Sequence, residues 1–182
     1  MQKSISMPFS IQNWVEENRH LLKPPVANAQ IYKGNTDFLV MVVGGPNSRK
    51  DFHINQGEEL FYQLEGEIEL GLMVEDSDSS GKLIERKIPI KAGDLFLLPG
   101  NIPHCPRRGP NTVGLVIERY RNPDEMDGFQ WYCENCNELL HEARIPVSDI
   151  VSQLPVVMNS FFANDELSTC KNCGTKMLPK TV

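Results

Sequence analysis

The chain has 182 residues, a length that suits one well-cored domain with a small appendage. Lys and Arg together number 18 against 24 Asp and Glu, so the formal net charge is −6. An acidic chain without a basic run is a poor binder of nucleic acid or of an anionic membrane surface. No apolar stretch approaches the roughly 20 residues of a transmembrane helix. The net charge and the absence of a long apolar stretch lead us to expect no nucleic-acid or membrane partner. The first residues, MQKSISMPFSIQNW, lack the apolar core of a secretory signal, so we expect a cytoplasmic protein.

A short amphipathic helix is predicted near the N-terminus, over residues 11–22. Asn13 followed three residues later by Glu16 has the spacing of a capping box, and the Pro24-Pro25 pair predicts the end of the helix. The apolar side chains at helical spacing are Ile11, Trp14, Val15, Leu21 and Leu22.

Short runs of β-branched and aromatic residues follow from about residue 29. Seven runs are predicted as strands, and they cover residues 38–44, 51–54, 59–66, 67–75, 83–90, 94–100 and 113–120. Turn sequences such as GGPNS, NQG, DSDSSG and KAGD separate them. Many short strands at this spacing predict an all-β sandwich or barrel. No glycine-rich phosphate loop opens a helix, which argues against a Rossmann or P-loop protein.

The composition changes again after residue 122. Between the cysteine-containing stretches DGFQWYCENC and TCKNCG, the run SDIVSQLPVVMNSFFAND has apolar residues at helical spacing, so we predict a helix that kinks or breaks at Pro155. We therefore predict two parts. Residues 1–122 form a β domain with the N-terminal helix, and residues 123–182 form a smaller segment packed on it.

The stretch HINQGEE contains the first candidate metal ligands, His53 and Glu59. Along a straight strand at about 3.3 Å per residue they would lie roughly 20 Å apart, so they share an ion only if the chain folds back at the Asn-Gln-Gly sequence 55–57. His104 follows the predicted strand DLFLL and is a third candidate from a neighbouring strand end. Two histidines and one carboxylate suit Fe(II) and leave coordination positions open for substrate and O₂.

Two alternatives remain open on the residues alone. Histidines and glutamates near β-turns are usually hydrated surface side chains rather than ligands. Glu58 is also an alternative carboxylate to Glu59. Because successive strand residues point to opposite faces, only one of these two glutamates can face the ion.

The run from His53 through Asn55 and Glu59 to Gly66 resembles the first motif of the cupin superfamily. Asn55 stands where many cupins have a second histidine. This departure removes one ligand from the four-ligand site of typical cupins and leaves His53, Glu59 and His104.

The run from Gly93 through Pro99 to His104 resembles the second cupin motif, with Asn101 where a glycine is usual. The resemblance implies a jelly-roll β-barrel, here with a short N-terminal helix and a small C-terminal segment clamped by metal. The catalytic centre would lie in the domain at 1–122.

Three longer runs are similar to the 3-hydroxyanthranilate 3,4-dioxygenase family: VVGGPNSRKDFHINQGEELFYQLEGEIEL, LLPGNIPHCPRR and NTVGLVIER. The similarity extends from near residue 21 to the final CKNC. It implies extradiol-type cleavage of 3-hydroxyanthranilate by Fe(II) and O₂, giving 2-amino-3-carboxymuconate semialdehyde. That product closes to quinolinate, a precursor of NAD. The family also implies a homodimer.

Two arginines are candidates for binding the substrate carboxylate, because the planar guanidinium binds a carboxylate through two hydrogen bonds. Arg49 lies four residues before His53, and strand alternation places both side chains on one face. Arg108 lies four residues after His104. The resemblance assigns both arginines to the pocket, with Arg108 as the direct carboxylate clamp, and we expect Arg107 to face solvent.

Glu118 lies in VGLVIERY, an apolar strand where a buried carboxylate needs a partner. A strand-end glutamate in water is the alternative interpretation. The resemblance implies that Glu118 binds the polar edge of the substrate and takes part in proton transfer. The catalytic residues implied are Arg49, Arg108 and Glu118, and the substrate-binding residues are these three with Glu59 and Asn28.

The pairs Cys133-x-x-Cys136 and Cys170-x-x-Cys173 predict a closed tetrahedral metal site. All four ligands come from the protein, so we expect a structural role. Thiolates accept both iron and zinc, and the sequence does not choose between them. The resemblance agrees, since fungal and bacterial-type members carry a rubredoxin-like site in this tail. The fifth cysteine, Cys105, is expected to pack as a small apolar side chain.

Two other functions are compatible with parts of the pattern. One is a different metal-dependent cupin enzyme, such as an isomerase or another dioxygenase, but the arginines and Glu118 argue against it. The other is a binding module whose cysteine tail is a zinc ribbon that contacts nucleic acid. The net charge of −6 and the lack of a basic stripe weigh against that function.

Overall fold

The computed structural model describes residues 5–23, 27–32, 36–47, 49–78 and 81–179. Its strands are β1 (Asn28–Gln30), β2 (Phe38–Gly44), β3 (Phe52–Ile54), β4 (Glu59–Glu65), β5 (Glu67–Glu75), β6 (Leu83–Lys91), β7 (Leu95–Leu98), β8 (His104–Arg108), β9 (Val113–Arg119), β10 (Asp127–Tyr132) and β11 (Leu139–Ile145). Its helices are α1 (Ile11–Asn18), α2 (Ile150–Phe162) and α3 (Asp165–Ser168).

The strands form two antiparallel sheets with one core between them. One sheet has the order β1-β2-β9-β4-β7, and the other has the order β11-β10-β3-β8-β5-β6. In the core, Phe61 and Val116 of the first sheet belong to one buried cluster with Leu70 and Ile90 of the second. This architecture confirms the prediction of an all-β cupin barrel with a short N-terminal helix.

All seven predicted strands are present, and their ends differ from the prediction by two residues at most. The prediction missed β1, β8, β10 and β11. The sequence of β8, HCPRR, has a proline and two arginines where a strand usually has apolar residues. The sequence of β10, DGFQWY, begins with an Asp-Gly pair that is typical of a turn.

The N-terminal helix starts at a different cap from the one predicted. Ser10 is the N-cap, and its hydroxyl accepts a hydrogen bond from the backbone N–H of Asn13 at 3.3 Å. The predicted capping box of Asn13 and Glu16 is therefore wrong, because both residues lie inside α1. The chain continues from α1 as a 3₁₀ turn over Arg19–Leu21. The predicted stop at Pro24-Pro25 lies outside the described residues.

The helix α2 covers the far end of the six-stranded sheet. Phe161 of α2 stacks on Trp131 of β10 with ring centroids 4.4 Å apart, and both are fully buried. The predicted helix is confirmed, but the predicted break is not, since α2 continues through Pro155. In the part of the chain that the structure describes, no helix is long and apolar enough to cross a membrane.

The sheet register brings distant residues to one place inside the barrel. His53 of β3 is the direct partner of His104 of β8. In the facing sheet, Glu59 of β4 is the direct partner of Glu118 of β9. The strand β10, the first of the predicted C-terminal segment, pairs with β3 and places Phe129 opposite His53.

Candidate metal centre

His53, Glu59 and His104 form a buried cluster of three candidate ligands. One ligand atom from each lies within 4.8 Å of the other two. The chain leaves β3 after Ile54 and enters β4, in the other sheet, at Glu59, which is the reversal that the sequence required. Glu58 is exposed, so Glu59 is the carboxylate that faces the histidines.

The second nitrogen of each imidazole already has a hydrogen-bond partner. His53 Nε2 lies 2.6 Å from Asp127 Oδ2, and His104 Nδ1 lies 3.0 Å from the backbone oxygen of Ile102. Both partners are acceptors, so these nitrogens carry the hydrogens. The remaining nitrogens, His53 Nδ1 and His104 Nε2, lie 3.7 Å and 3.3 Å from Glu59 Oε1. Two imidazole nitrogens and one carboxylate oxygen converge, and with both rings neutral they form a donor set that fits Fe(II).

Charge interactions keep the Glu59 carboxylate ionised. Burial by itself raises the pKa of Glu59, but the charge of His104 and its hydrogen bond outweigh burial and hold the pKa well below its usual range. Burial lowers the pKa of His53, which favours the neutral ring that a metal ligand needs. Burial also acts to lower the pKa of His104, but the adjacent Glu59 charge raises it.

Glu118 is the second buried carboxylate beside the cluster. Burial, together with the charge of Glu59, raises its pKa to about 7, against the opposing effect of Arg121. Its Oε1 lies 2.9 Å from Arg121 Nη1, and its Oε2 accepts a hydrogen bond from Asn55 Nδ2 at 2.7 Å. A carboxyl group with this pKa can take up or release a proton near neutral pH.

Asn55 has a different task from the histidine that many cupins have at this position. Its Oδ1 accepts a hydrogen bond from the backbone N–H of Gly57 at 3.0 Å, which stabilises the turn between β3 and β4. Its amide donates to Glu118. Asn55 therefore holds the turn and a carboxylate in place.

Arg108 is a buried cation with few partners. It is 3% exposed, and its Nη1 donates only a long hydrogen bond of 3.4 Å to Gln63 Oε1. Its Nε has no hydrogen-bond partner within the described residues, and no ion pair to Arg108 is found among them. Burial, with the charge of Arg49, lowers its pKa to about 10. A buried guanidinium without a carboxylate is a receptor for an anionic group.

Arg49, by contrast, already has a carboxylate partner. Its Nε and Nη2 donate to the two oxygens of Asp51 at 2.8 Å and 2.6 Å. Asp51 is fully buried. The two arginines are therefore not equivalent, because the fork of Arg49 is occupied by Asp51, whereas that of Arg108 meets no carboxylate among the residues that the structure describes.

Arg107 lies on the outer face of the six-stranded sheet, as strand alternation after Arg108 requires. Its side chain is 28% exposed and forms ion pairs with Glu85 and Glu69. Its guanidinium also lies 5.6 Å from the centre of the Phe52 ring. Arg107 thus belongs to a charged surface cluster rather than to the barrel interior.

A cavity of about 660 Å³ lies beside Arg121, and none of the three candidate ligands is among its lining residues. Its lining includes Asn28, Leu39, Met41 and Arg121. Met41 and Leu39 also pack in the central core, and Arg121 contacts Glu118. The cavity is large enough for a small aromatic ligand, and it places Asn28 on its wall.

The four cysteines form the second predicted cluster. Cys133 Sγ lies 3.5 Å from Cys173 Sγ, and Cys136 Sγ lies 3.6 Å from Cys170 Sγ. Sulfurs at the corners of a tetrahedron with metal–sulfur bonds of about 2.3 Å would lie about 3.8 Å apart, so the spacing fits a bound metal. The predicted four-cysteine cluster is confirmed.

Cys105 lies apart from this cluster and is fully buried among Phe52, Met73 and Tyr132. Burial raises the pKa of its thiol to about 12. Its surroundings match the expectation that it packs as a small apolar side chain.

Four buried polar residues that hold the candidate site residues were not predicted from the sequence. These are Asp51, Gln63, Arg121 and Asp127. A signal was present for two of them, because Asp51 stands immediately before β3 and Asp127 is the first residue of β10, positions where a buried acid requires a partner. The partner itself cannot be read from spacing, since His53 and Asp127 are 74 residues apart.

Comparison with known proteins identifies the family. A family model described as 3-hydroxyanthranilic acid dioxygenase matches residues 4–162. A relative from Xanthomonas euvesicatoria, named 3-hydroxyanthranilate 3,4-dioxygenase, is 48% identical over 167 residues, which are 92% of this chain and 90% of the relative. A relative of the same name from Neurospora crassa is 46% identical and covers 93% of this chain and 89% of its own length.

Among solved structures, a cupin-2 domain protein from Shewanella frigidimarina matches with a TM-score of 0.45 and 18% identity. It covers 61% of this chain and 100% of its own. The family model and the two relatives each match most of the chain. The chain therefore belongs to the 3-hydroxyanthranilic acid dioxygenase family.

Proposed function

We propose that this protein cleaves the ring of 3-hydroxyanthranilate between C3 and C4 with O₂, using Fe(II) held by His53, Glu59 and His104. The product is 2-amino-3-carboxymuconate semialdehyde. Membership of the family supports the reaction class. The observation that carries the proposal is a buried cluster of two histidines and one carboxylate in the same barrel as Arg108, a buried guanidinium with no carboxylate partner among the described residues.

Iron is the only part of the site that the chain does not supply. Fe(II) bound by these three side chains would provide the redox chemistry for ring opening by O₂. Both atoms of O₂ enter the product, so the reaction needs no external reductant. The semialdehyde then closes without an enzyme to quinolinate, which leads to NAD.

Arg108 is the proposed carboxylate clamp. It lies on the strand of His104, four residues further on, so both side chains face the barrel interior. The backbone advances about 13 Å over four strand residues, from His104 to Arg108. A benzene ring, its carboxylate and a bent arginine side chain can fill that distance. Binding of the carboxylate satisfies the guanidinium whose Nε has no partner among the described residues.

Arg49 is proposed to assist at the same end of the pocket. Because its Nε and Nη2 hold Asp51, its Nη1 is the nitrogen left for a substrate. It also adds positive charge near Arg108, as the lowered pKa of Arg108 reflects. We therefore propose that Arg49 favours an anionic substrate mainly through its positive charge, and not through a second bidentate pair of hydrogen bonds.

Glu118 is proposed to accept the proton that the substrate hydroxyl loses on binding. Its raised pKa, about 7, allows this at neutral pH. Asn55 and Arg121 fix the two carboxylate oxygens, so the group is held in one orientation. Glu59 contacts the substrate from the metal side, and Asn28 lies on the cavity wall where the ring would enter.

The test is turnover of 3-hydroxyanthranilate compared with 2-aminophenol, which lacks the carboxylate. Protein loaded with Fe(II) under nitrogen is mixed with either compound and air, and O₂ uptake and semialdehyde absorbance are followed. We expect one O₂ consumed per semialdehyde formed and a kcat/KM for 2-aminophenol at least about 30-fold lower, from loss of a buried charge pair. No product from protein that holds Fe(II) at the histidine site would refute the proposal.

Three further expectations stay predictions. They are a homodimer, a cytoplasmic location and the division of the chain near residue 122. Sedimentation equilibrium of the purified protein tests the first, and a species of one chain mass at micromolar concentration would contradict it. Folding of residues 1–122 alone would support the third, although β10 pairs with β3 in the intact chain.

A further inference from the structure

A buried ion pair lies directly behind the candidate metal centre. Arg121 Nη2 donates to Asp127 Oδ2 at 2.7 Å, and Arg121 Nε lies 3.1 Å from Oδ1. The two side chains are 8% and 1% exposed. Asp127 begins β10, the strand beside β3, which carries His53. Neither residue is a candidate ligand or one of the predicted substrate-binding residues.

Asp127 determines which nitrogen of His53 is free. Its Oδ2 lies 2.6 Å from His53 Nε2 and also accepts from Arg121, so it acts toward the ring as an acceptor. The hydrogen of the neutral ring is then on Nε2, and the lone pair of Nδ1 is directed to the side of Glu59. Metal-binding histidines are commonly oriented by a carboxylate on their other nitrogen.

Arg121 connects this pair to Glu118. Its Nη1 lies 2.9 Å from Glu118 Oε1, while its Nε and Nη2 hold Asp127. Because the guanidinium is planar and rigid, it fixes the relative positions of the two carboxylates. Arg121 thereby links Asp127, which contacts the candidate ligand His53, to Glu118, the proposed proton acceptor.

We propose that Asp127 and Arg121 are positioning residues of the ring-cleaving site, an inference that rests on the proposed function. Asp127 presents His53 Nδ1 to the metal. Arg121 aligns Asp127 with Glu118. Substitution of Asp127 is therefore expected mainly to lower metal affinity. Substitution of Arg121, which loses its ion pairs with two carboxylates, is expected mainly to lower kcat. A lysine at position 121 can pair with one carboxylate but cannot hold both in one plane.

The chain contains a matched control in the same turn. Arg119 pairs with Glu125 at 2.5 Å, with the same six-residue spacing as Arg121 and Asp127. The pair of Arg119 does not include His53 or Glu118. The side chain of Arg119 is 38% exposed and that of Arg121 is 8% exposed, so changes at Arg119 report the cost of losing the more exposed of these two ion pairs.

The first test measures Co(II) affinity without substrate or O₂. Co(II) accepts the same nitrogen and oxygen donors, and zinc is bound to the cysteine site beforehand. We expect Asp127→Asn to lower Co(II) affinity at the histidine site 10-fold to 100-fold, about the usual effect of removing such a partner. Arg119→Gln leaves the affinity unchanged. Equal affinities for Asp127→Asn and wild type would overturn the role of Asp127.

The second test separates kcat from KM in Fe(II)-loaded protein. We expect Arg121→Lys to lower kcat about 10-fold and to change KM for 3-hydroxyanthranilate by less than about 3-fold, since Arg108 still binds the carboxylate. Arg119→Lys keeps both constants. A kcat for Arg121→Lys equal to that of Arg119→Lys would overturn the role of Arg121.

These outcomes are separable from failure of the proposed function. If wild-type protein binds Co(II) at the histidine site but makes no semialdehyde with Fe(II), the reaction is wrong and the affinity comparison still decides the role of Asp127. If Asp127→Asn does not fold, Co(II) affinity is measured for Asp127→Glu, whose longer side chain keeps a carboxylate for Arg121 but alters its contact with His53 Nε2. An unchanged affinity in that variant would then overturn the role of Asp127.

Discussion

The two ligand clusters of this chain are built in opposite ways. Each cysteine pair lies in a short local turn: the backbone N–H of Asn137 donates to Cys133 O, and that of Gly174 donates to Cys170 O. Asn137 and Gly174 occupy equivalent positions and both have positive φ. The candidate ligands His53, Glu59 and His104 come instead from three strands in two sheets. The first arrangement depends on local turns, and the second depends on the register of the whole barrel.

This difference matches two kinds of metal site. Four thiolates complete a tetrahedron, so the cysteine cluster has no position left for a reactant. The three candidate ligands in the barrel would leave coordination positions open for reactants. We therefore assign chemistry to the histidine site and stability to the cysteine site, and each prediction below is designed to separate them.

The largest effect is expected from His104→Ala. This change removes one of three ligands from the open site, so Fe(II) binding there is lost and kcat/KM falls by at least about 1,000-fold, as expected when a metal-dependent step loses its metal. The cysteine site keeps its metal, because none of its ligands changes. Metal analysis and turnover of the same sample check this. Retained turnover would mean that His104 is not a ligand.

Arg108→Ala tests substrate recognition at the histidine site. Iron binding is kept, but KM for 3-hydroxyanthranilate rises by at least about 30-fold, because truncating one partner of a buried charge pair costs about 2 kcal/mol or more. Arg107→Ala is the control, since Arg107 lies on the outer face with Glu85 and Glu69. Steady-state kinetics of both variants decide the assignment, and an unchanged kcat/KM for Arg108→Ala would contradict it.

Cys136→Ser tests the structural role of the cysteine site. Loss of one thiolate weakens the second metal, and we expect Tm to fall by about 10 °C, which corresponds to about 3 kcal/mol for a chain of this size. Below the transition, kcat per histidine-site iron stays within about 3-fold of wild type. Thermal unfolding and turnover at 20 °C measure the two effects. A loss of turnover with an unchanged Tm would reverse the assignment of roles.

Phe161→Leu produces the smallest effect and concerns the packing of the tail. It removes the stack on Trp131 and part of a fully buried side chain, at a cost of about 1–2 kcal/mol. Tm should fall by about 3–6 °C while both metals and kcat/KM are unchanged. Differential scanning calorimetry detects such a shift. If iron affinity also fell, the packing of the C-terminal segment would affect metal binding at the histidine site.

The same contrast explains what the sequence could predict. The cysteine cluster was predictable from two local spacings, and the seven confirmed strands were predictable from short runs of β-branched and aromatic residues separated by turn sequences. The strand β8 was missed because its buried residues include His104 and Arg108, which remove the apolar pattern at the positions that matter most. Functional residues inside a barrel look like loop residues when only hydrophobicity is considered.

The roles of neighbouring candidates were also beyond the sequence. Arg49 and Arg108 have equivalent positions relative to His53 and His104, yet only Arg49 has a buried carboxylate two residues away. Spacing does not show that Asp51 turns toward Arg49 instead of solvent. In the same way, the link from His53 to Asp127 depends on the pairing of β10 with β3, which no local pattern records.

Metal reconstitution tests the central assignment most directly. Protein with zinc in the cysteine site and an empty histidine site is titrated with Fe(II) under nitrogen, and initial turnover of 3-hydroxyanthranilate is measured after addition of air. Our account predicts that activity rises linearly and reaches its maximum at one Fe(II) per chain while zinc stays bound. Activity that appears only when iron replaces zinc at the cysteine site would contradict it.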